Sequence, residues 1–226
     1  MTQPEAEEFV TIKTSLPTLP LPANTMRPIL TTDRLLIRPL ASSDLEALHT
    51  LRTQPEVMKW TTAGRIDHDL KETHAKLDLF LPPNDTRTAN CAICLKGSGE
   101  FIGIGGCHLY PGCHGWPEIG YMLQQEVWGR GLATEFLSVW LPFWGRLSRS
   151  EREMRVRRDM LAVSEKGDAN VVPVVRERLV AITEASNLAS QKVLLKAGFE
   201  SFCGFAEVDA TAPGGTVQLV AFCYFV

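Results

Sequence analysis

Apolar and polar positions alternate along the chain in a way that predicts strands and helices in turn from about Leu30 onward. Apolar runs typical of strands occupy residues 35–37, 88–96, 101–109, 116–123, 179–182 and 217–226. Helical spacing occupies residues 47–51, 69–79, about 131–140, and 190–197. The spacing Ser43–Glu46 predicts a capping box for the first helix, and Gly198 is placed to end the last one. The pattern therefore predicts a mixed α/β sheet of about seven strands with four helices.

Two regions lack this regular pattern. Residues 1–28 contain Pro17, Pro20, Pro22 and Pro28 and no sustained periodicity, which predicts a disordered or extended tail before a domain at 29–226. Residues from about 146 to 175 form a charged insertion, in which Arg149, Arg152 and Arg155 would line one face of a helix. One hypothesis is a basic patch for an acidic substrate or ribosomal RNA. We favour a solvated insertion, because the interspersed glutamates cancel much of the charge.

Composition is that of an ordinary globular domain. The chain has 226 residues, of which 45% are hydrophobic and 22% charged. Its formal net charge of -3 gives no general attraction to nucleic acid or to anionic lipid. No apolar run reaches the roughly 18 residues that span a bilayer, and the acidic start lacks the features of a signal peptide. We therefore expect a cytoplasmic protein without nucleic-acid or membrane partners, either monomer or homodimer.

Six cysteines lie mostly in apolar, strand-like runs, which is typical of buried reduced thiols. Cys91 and Cys94 have the spacing of metal ligands, but three positions along a strand place the two sulfurs on opposite faces. Cys107-His108 and Cys113-His114 flank a Tyr-Pro-Gly turn that could bring four ligands together. Adjacent strand residues also point to opposite faces, so we expect no metal.

The segment from Glu118 to Glu135 is the most informative part of the chain. An apolar strand runs into a turn containing Gly129 and Gly131, which opens a helix. Because these glycines carry no side chain, backbone N–H groups of residues 129–134 can converge on one phosphate at the positive end of the helix dipole. The sequence therefore predicts an anion cradle.

Three motifs resemble a known family. Residues 128–135, Trp-Gly-Arg-Gly-Leu-Ala-Thr-Glu, resemble the acyl-CoA pyrophosphate loop of GNAT superfamily N-acetyltransferases of the RimJ/RimL-type branch. Residues 187–199 resemble that branch's second CoA motif, and residues 32–40 its opening strand. Trp128 stands where the broader superfamily usually has Gln or Arg. The resemblance implies the GNAT fold, a mostly antiparallel six- to seven-stranded sheet that splays apart at the acyl-CoA site, with about four flanking helices.

The resemblance also implies a cofactor site for acetyl-CoA. Backbone donors of the turn would hold the pyrophosphate, with Arg130 adding a positive side chain. The pantetheine arm would pair with strand backbone at residues 121–123 like an additional strand. Asn187 would contact the pantetheine or acyl region, or simply cap its helix. The implied cofactor-binding residues are Tyr121, Met122, Leu123, Trp128, Gly129, Arg130, Gly131, Leu132, Ala133, Thr134, Asn187 and Ser190.

Two residues are candidates for catalysis. Glu118 resembles the strand carboxylate that many members use as a base, and the alternative is a partly buried structural carboxylate. Ser190 resembles the residue near the CoA sulfur that donates a proton to the thiolate, and the alternative is a first-turn hydroxyl without a chemical role. A base matters most for a lysine-type amine, with a pKa of about 10.4, and less for an α-amine of about 8. Further side chains could line an acceptor pocket, namely Trp60, His108, Tyr110, His114 and Trp116.

The sequence thus predicts an N-acetyltransferase that moves an acetyl group from acetyl-CoA directly to a primary amine. It leaves open whether the acceptor is a protein N-terminus or a small amine. The alternative is a non-catalytic CoA-binding or protein-interaction module in which the insertion blocks the acceptor pocket. A nucleotide-binding protein is a weaker alternative, because the turn lacks the Lys-Ser/Thr of a P-loop.

Overall fold

The structure is a computed structural model that describes residues 9–162, 165, 171–209 and 214–226. The described strands are β1 Phe9–Pro17, β2 Leu30–Thr31, β3 Leu35–Pro39, β4 Ala89–Leu95, β5 Phe101–Leu109, β6 Glu118–Leu123, β7 Arg149–Arg157, β8 Arg178–Glu184, β9 Glu200–Val208 and β10 Thr216–Phe225. The described α-helices are α1 Leu45–Arg52, α2 Pro55–Met58, α3 Leu70–Leu77, α4 Leu132–Gly145 and α5 Leu188–Lys196.

Eight strands form one sheet in the order β2-β3-β4-β5-β6-β8-β10-β9. Neighbouring strands are antiparallel except β6 and β8, which are parallel. The predicted mixed α/β, mostly antiparallel sheet is confirmed. The described residues form a sheet of eight strands with five α-helices, whereas six to seven strands and about four helices were expected. Strand β9 and helix α2 were missed because they carry little periodic signal.

The sheet opens between β6 and β8. These strands share a single pair of register partners, Glu118 and Val180, and the Val180 N–H donates to the Pro117 carbonyl at 2.9 Å. Beyond that pair β6 continues alongside β5, whereas β8 continues alongside β10. The splay that the resemblance implied is therefore present, and Glu118 lies at its apex.

Helices cover the two faces of the sheet. Phe136, Trp140 and Leu194 of α4 and α5 pack in one core cluster with Ile119 of β6. On the other face, residues of α1, α2 and α3 pack with the outward side of β4 and β5, and Met122 of β6 packs against this cluster. Burial of these apolar side chains is the main favourable term that holds helices on the sheet.

The predicted disordered tail is wrong for residues 9–28, while residues 1–8 lie outside the described part. Strand β1 alternates, with Ile12, Thr14 and Leu16 buried. After β1, Asn24 donates side-chain hydrogen bonds to the carbonyls of Leu40 at 3.1 Å and Phe80 at 2.9 Å. The prolines made the whole segment look disordered, although Pro17 ends β1 and the others named follow it, so none of these interrupts the strand.

The helical interpretation of the charged insertion is also wrong. Residues 149–157 form β7, which pairs antiparallel with β1 along its whole length in a separate two-stranded sheet. We call β1 and β7 together the ribbon. In a strand, Arg149 and Arg155 share one face and Arg152 lies on the other, so the three arginines form no common stripe. Residues 163, 164 and 166–170 of the insertion lie outside the described part.

The ribbon packs on the β8–β10 part of the sheet. Ile12 and Val156 share a buried cluster with Val180 and Ala221. Arg178 of β8 is fully buried, donates to the Met160 carbonyl and pairs with Glu165. The ribbon is therefore part of the domain rather than a solvated excursion.

Helix starts differ from the prediction at one place. The Ser43–Glu46 capping box does not form, because α1 begins at Leu45 after Asp44 and lacks a side-chain cap. The Asp44 carboxylate instead accepts hydrogen bonds from the Ala41 N–H at 2.9 Å and from Arg38 at 2.6 and 2.8 Å. Gly198, with φ of 90°, follows α5 as predicted.

Candidate acetyl-transfer site

The glycine-paired turn lies directly before α4. Gly129 and Gly131 have φ values of 72° and 78°, in the left-handed region that residues with a Cβ rarely adopt. A Cβ at Gly129 would meet no atom within 4 Å, and the nearest atom to one at Gly131 would be Arg34 Nη2 at 3.8 Å. The space in front of the turn is therefore open.

The N-terminus of α4 has no side-chain cap. Its N-cap residue is Gly131, so the N–H groups of the first turn have neither an intrahelical partner nor a side-chain acceptor from the cap. In contrast, α5 is capped by Asn187, whose Oδ1 accepts the Ser190 N–H at 3.1 Å. Free N–H groups and the positive end of the helix dipole make the start of α4 fit a pyrophosphate.

Thr32, Arg34 and Glu135 hold this turn against the start of β3. The Glu135 carboxylate accepts hydrogen bonds from Arg34 Nε at 2.7 Å and from the Arg34 N–H at 3.1 Å, and the Thr32 hydroxyl donates to it as well. Arg34 Nη1 also donates to the Arg130 carbonyl at 2.9 Å. Burial opposes ionisation of Glu135, but the hydrogen bonds from Thr32 and Arg34 outweigh it and lower the pKa of Glu135. An ionised carboxylate therefore fixes the turn.

Tyr121 and Ser190 meet where α5 faces β6. The Tyr121 phenol oxygen lies 2.9 Å from Ser190 Oγ, and the phenol also donates to the Ser190 carbonyl at 3.3 Å. Burial raises the pKa of Tyr121 to about 12, although the hydrogen bond with Ser190 opposes the shift. The phenol therefore stays protonated at neutral pH and can support proton donation from Ser190.

Glu118 lies at the apex of the splay beside His108 of β5. The distance from His108 Nε2 to Glu118 Oε1 is 3.5 Å, and the side chains are 34% and 14% exposed respectively. A Cβ at Gly120 would lie 3.2 Å from His108 Cε1, and one at Gly112 would lie 2.6 Å from Glu118 Oε2. These two glycines leave the room that the imidazole and the carboxylate occupy.

The two polar pairs lie on opposite faces of β6. Tyr121 packs against the cluster formed by α4 and α5, whereas Met122 packs against the cluster formed by α1–α3. Because strand residues alternate between faces, Glu118 shares the Met122 face. The strand thus separates a Tyr121–Ser190 side from a Glu118–His108 side.

Comparison with known proteins identifies the family. A family model described as an acetyltransferase (GNAT) domain matches residues 34–200, which is more than half of the chain. The chain belongs to the GNAT acetyltransferase family. It is 29% identical over 114 residues to the uncharacterized N-acetyltransferase YoaA of Bacillus subtilis, across 50% of this chain and 64% of YoaA. The matched segment thus spans less than two thirds of that relative.

Solved GNAT structures share the fold. A Bacillus anthracis GNAT acetyltransferase has a TM-score of 0.63 at 19% identity, covering 88% of this chain and 98% of that one. The Salmonella typhimurium enzyme that modifies the N-terminal serine of ribosomal protein L7/L12 has a TM-score of 0.63 at 16% identity, covering 88% of this chain and 98% of that one. A Vibrio cholerae spermidine N-acetyltransferase in complex with CoA and spermine has a TM-score of 0.61 at 12% identity, covering 86% of this chain and 96% of that one. RimL, a ribosomal L7/L12 α-N-protein acetyltransferase, also shares this fold, with a TM-score of 0.63 at 16% identity, covering 88% of this chain and 97% of that one.

Within this GNAT fold, the residues predicted for the cofactor follow the edge of the splay. Residues 128–131 are exposed, and Trp128 Nε1 donates to the Leu123 carbonyl at 2.8 Å across the end of β6. Leu123 and Leu132 are buried, so only their backbone groups can face a ligand. Asn187 forms the predicted helix cap.

The residues suggested for an acceptor pocket are mostly placed elsewhere. Trp116 and His114 are 0% and 2% exposed, and the Tyr110 hydroxyl donates to the Pro17 carbonyl at 2.6 Å. Trp60 lies beside Lys59, whose Nζ is 5.2 Å from its ring centroid. Only His108 lies beside Glu118.

Sequence reasoning missed two partners. It assigned Tyr121 for its backbone only and listed His108 without linking it to Glu118. The hairpin register carried a signal, because Gly106 pairs with Gly120 and Cys107 with Ile119, so the next pair in a regular ladder would be His108 and Glu118. A bulge there pairs Leu109 with Glu118 instead and leaves His108 as the additional residue.

The cysteines show no arrangement for a metal. Cys91 and Cys94 lie in different core clusters on opposite faces, as their spacing predicted. All six thiols are free. In the described part of the chain, no group of three or more His, Cys, Asp or Glu side chains could hold a metal ion. That part also holds no helix long and apolar enough to cross a membrane.

Proposed function

We propose that this chain transfers an acetyl group from acetyl-CoA directly to a primary amine. The observation that carries the proposal is the uncapped, glycine-opened start of α4 at the splay of a GNAT sheet. Acetyl-CoA supplies the activated thioester, and family members of known structure include one in complex with acetyl-CoA. The acceptor is a protein N-terminus or a small amine.

On the donor side, the backbone N–H groups of residues 129–134 bind the pyrophosphate, and Arg130 adds positive charge. The backbone of residues 121–123 pairs with the pantetheine arm, because among the described strands β6 has a neighbour only on its β5 side after Glu118. Asn187 holds the first turn of α5, so that Ser190 Oγ is presented toward the departing sulfur with Tyr121 behind it. Ser190 donates the proton that the thiolate needs.

On the acceptor side, the Glu118 carboxylate supplies negative charge that favours loss of a proton from the amine. Its position at the apex of the splay places a carboxylate next to the gap through which the amine must reach the thioester. The ribbon does not close this side. It contacts the connection between β5 and β6 through Tyr110 and through the Arg157 N–H, which donates to the His114 carbonyl at 3.1 Å. His108 beside Glu118 remains 34% exposed, which argues against a blocked, non-catalytic module.

Calorimetric titration with acetyl-CoA tests the cofactor site. Gly131→Glu places bulk and negative charge in the cradle and should abolish binding that is micromolar in the parent. Gly99→Glu is the matched control, because Gly99 has a similar φ of 74° and also has open space around it, but lies in the β4–β5 turn. Equal binding by the parent and the Gly131 variant would refute the cradle.

Thiol release from acetyl-CoA tests transfer. We would offer spermidine, a lysine-containing peptide and a peptide with a free N-terminal serine, because neighbours of this fold are named for spermidine and for an N-terminal serine. Amine-dependent thiol release with a matching mass gain of the amine would support the proposal. Acetyl-CoA binding without transfer to any amine would favour a non-catalytic CoA-binding module.

A further inference from the structure

We propose that His108 is the group that takes the proton from the acceptor amine, and that Glu118 acts by positioning and charge-stabilising His108. This inference rests on the proposed N-acetyltransferase function. It assigns the proton-accepting atom to a side chain that the motifs do not contain.

The first argument is that the backbone is shaped to bring the two side chains together. His108 is the additional residue of a β-bulge that opposes Glu118, and bulges re-aim side chains beside active sites. Its ring lies over Gly120, where a Cβ would come 3.2 Å from Cε1 and 3.3 Å from Nδ1. Gly112 leaves space for the carboxylate in the same way. Side chains at either glycine would push the pair apart.

The second argument is access. The His108 side chain is 34% exposed, whereas that of Glu118 is 14% exposed and lies between His108 and Gly112. An amine that approaches from solvent on this face therefore meets the imidazole more readily than the carboxylate. The His108–Glu118 distance of 3.5 Å is an ion-pair distance, and such contacts tighten when substrate is bound.

The proton balance is straightforward. Neutral His108 directs its Nε2–H toward the Glu118 carboxylate, which leaves the Nδ1 lone pair to accept the amine proton. The amine nitrogen forms its bond to the acetyl carbon as the carbon–sulfur bond breaks. The thiolate takes a proton from Ser190, on the opposite face of β6, and Ser190 Oγ regains a proton from water. The imidazolium is held by Glu118 until it gives the proton to water.

The other groups around the pair do not offer the same chemistry. Cys113 Sγ lies 3.0 Å from His114 Nδ1, and burial raises the pKa of the Cys113 thiol to about 11. Burial lowers the pKa of His114, which is 2% exposed and so is closed to an amine. The remaining charged or ionisable neighbours whose charges act on Cys113, His114 or Cys107 are Arg157, Asp159, Glu207 and Arg27.

The test compares His108→Gln, Glu118→Gln and the double variant, using the amine that the panel identifies. His108→Gln should lower kcat/KM by about 10²- to 10⁴-fold and remove the acid limb that an imidazole base imposes between about pH 5 and 8. Glu118→Gln should lower kcat/KM less than His108→Gln does, because the imidazole remains as proton acceptor and loses only the carboxylate that positions it. The double variant should be no worse than His108→Gln.

Two further measurements separate chemistry from misfolding. Free imidazole should partly rescue a His108→Ala variant, whereas a merely structural histidine would not respond. Labelling with diethyl pyrocarbonate, read by mass spectrometry without any substrate, should show that the rate of His108 modification changes in Glu118→Gln, because the ring loses the carboxylate that orients it. His74→Gln is the matched control, because His74 is also a histidine beside a carboxylate, with its Nδ1 3.0 Å from Asp78.

Gly120→Ala offers a milder displacement. It should press the His108 ring out of place and lower kcat/KM by about threefold to tenfold. Gly97→Ala, where a Cβ would meet nothing within 4 Å, should have no effect.

The outcomes distinguish the inference from the proposed function. Full activity in His108→Gln with loss in Glu118→Gln would overturn the assignment to His108 and leave Glu118 as the base. Failure of the parent protein to acetylate any amine would overturn both. An unchanged acid limb in His108→Gln would also contradict this role.

Discussion

Glu177 is a buried carboxylate that joins the ribbon to the rest of the domain. Trp144 Nε1 of α4 donates to it at 2.7 Å, and Arg149 of β7 pairs with its other oxygen. Its side chain is only 5% exposed. Burial raises the pKa of Glu177 to about 7, although the Trp144 hydrogen bond and the Arg149 charge oppose the shift. We predict that Glu177 makes the stability of the domain fall between acid and neutral pH.

The size of the effect follows from linkage. A carboxyl whose folded pKa lies above its unfolded value contributes stability below the unfolded pKa, and that stability is lost as pH rises through the folded pKa. With an ordinary pKa of 4.5 and a folded pKa of about 7, the free energy of unfolding falls by about 2.5 kcal/mol from pH 5 to pH 8 through this group alone. Glu177→Gln removes the titration and keeps the amide oxygen for Trp144.

The assay is urea unfolding of the parent and Glu177→Gln at pH 5 and pH 8. Other titrating groups cancel in the difference between proteins, so the variant should gain about 2.5 kcal/mol relative to the parent on going from pH 5 to pH 8. Glu151→Gln, an exposed position on β7, should show no such gain. A relative stability of Glu177→Gln that is equal at both pH values would refute the reasoning.

Two more predictions concern the donor side of the site. Ser190→Ala should lower kcat by about 10²-fold while the acetyl-CoA dissociation constant, measured by calorimetry, stays within about threefold of the parent, because Ser190 acts on the leaving sulfur. An unchanged kcat would contradict proton donation by Ser190. Glu135→Gln should weaken acetyl-CoA binding by about five- to tenfold, because charge-assisted hydrogen bonds of about 1 kcal/mol or more no longer fix the turn. Glu184→Gln, on β8, is the control and is measured by the same calorimetry. Equal acetyl-CoA affinities of the parent and Glu135→Gln would show that the Glu135 hydrogen bonds are not needed to fix the turn.

The parts of the fold that sequence predicted well are those determined by local pattern. The strand predicted at residues 101–109 has those bounds in the structure, because its apolar run is continuous and a glycine turn precedes it. The helix after the glycine turn was predicted at about 131–140 and ends five residues later, at Gly145, with Pro142 inside it.

The ribbon could not be predicted in the same way. Its strands pair residue 9 with residue 157, across almost the whole domain, and such a long-range partner leaves no local signal. Neither strand is apolar enough to stand out alone. In β7, charged residues occupy six of nine positions, so the segment resembles a polar helix until its partner is known.

The site also divides into a part set by local sequence, which could be predicted, and parts set by long-range contacts, which could not. The cradle could be predicted because two glycines and the start of one helix supply it within a few residues. The Tyr121–Ser190 contact joins residues 69 positions apart, and it depends on how α5 is placed against β6. The His108–Glu118 pair depends on the register of the β5–β6 hairpin, which the sequence analysis did not predict.

The spacing of Glu118 and Tyr121 explains why the gap in the sheet is needed. An odd separation along a strand places the two side chains on opposite faces, so the polar pairs at Ser190 and His108 cannot meet over the top of β6. In the proposed reaction, an amine held on one face reaches a thioester held on the other through the opening on the β8 side of β6. That opening begins immediately after the single pair of Glu118 and Val180. Opposite placement also keeps a proton acceptor away from the proton donor, so each can hold the protonation state that its own half of the transfer requires.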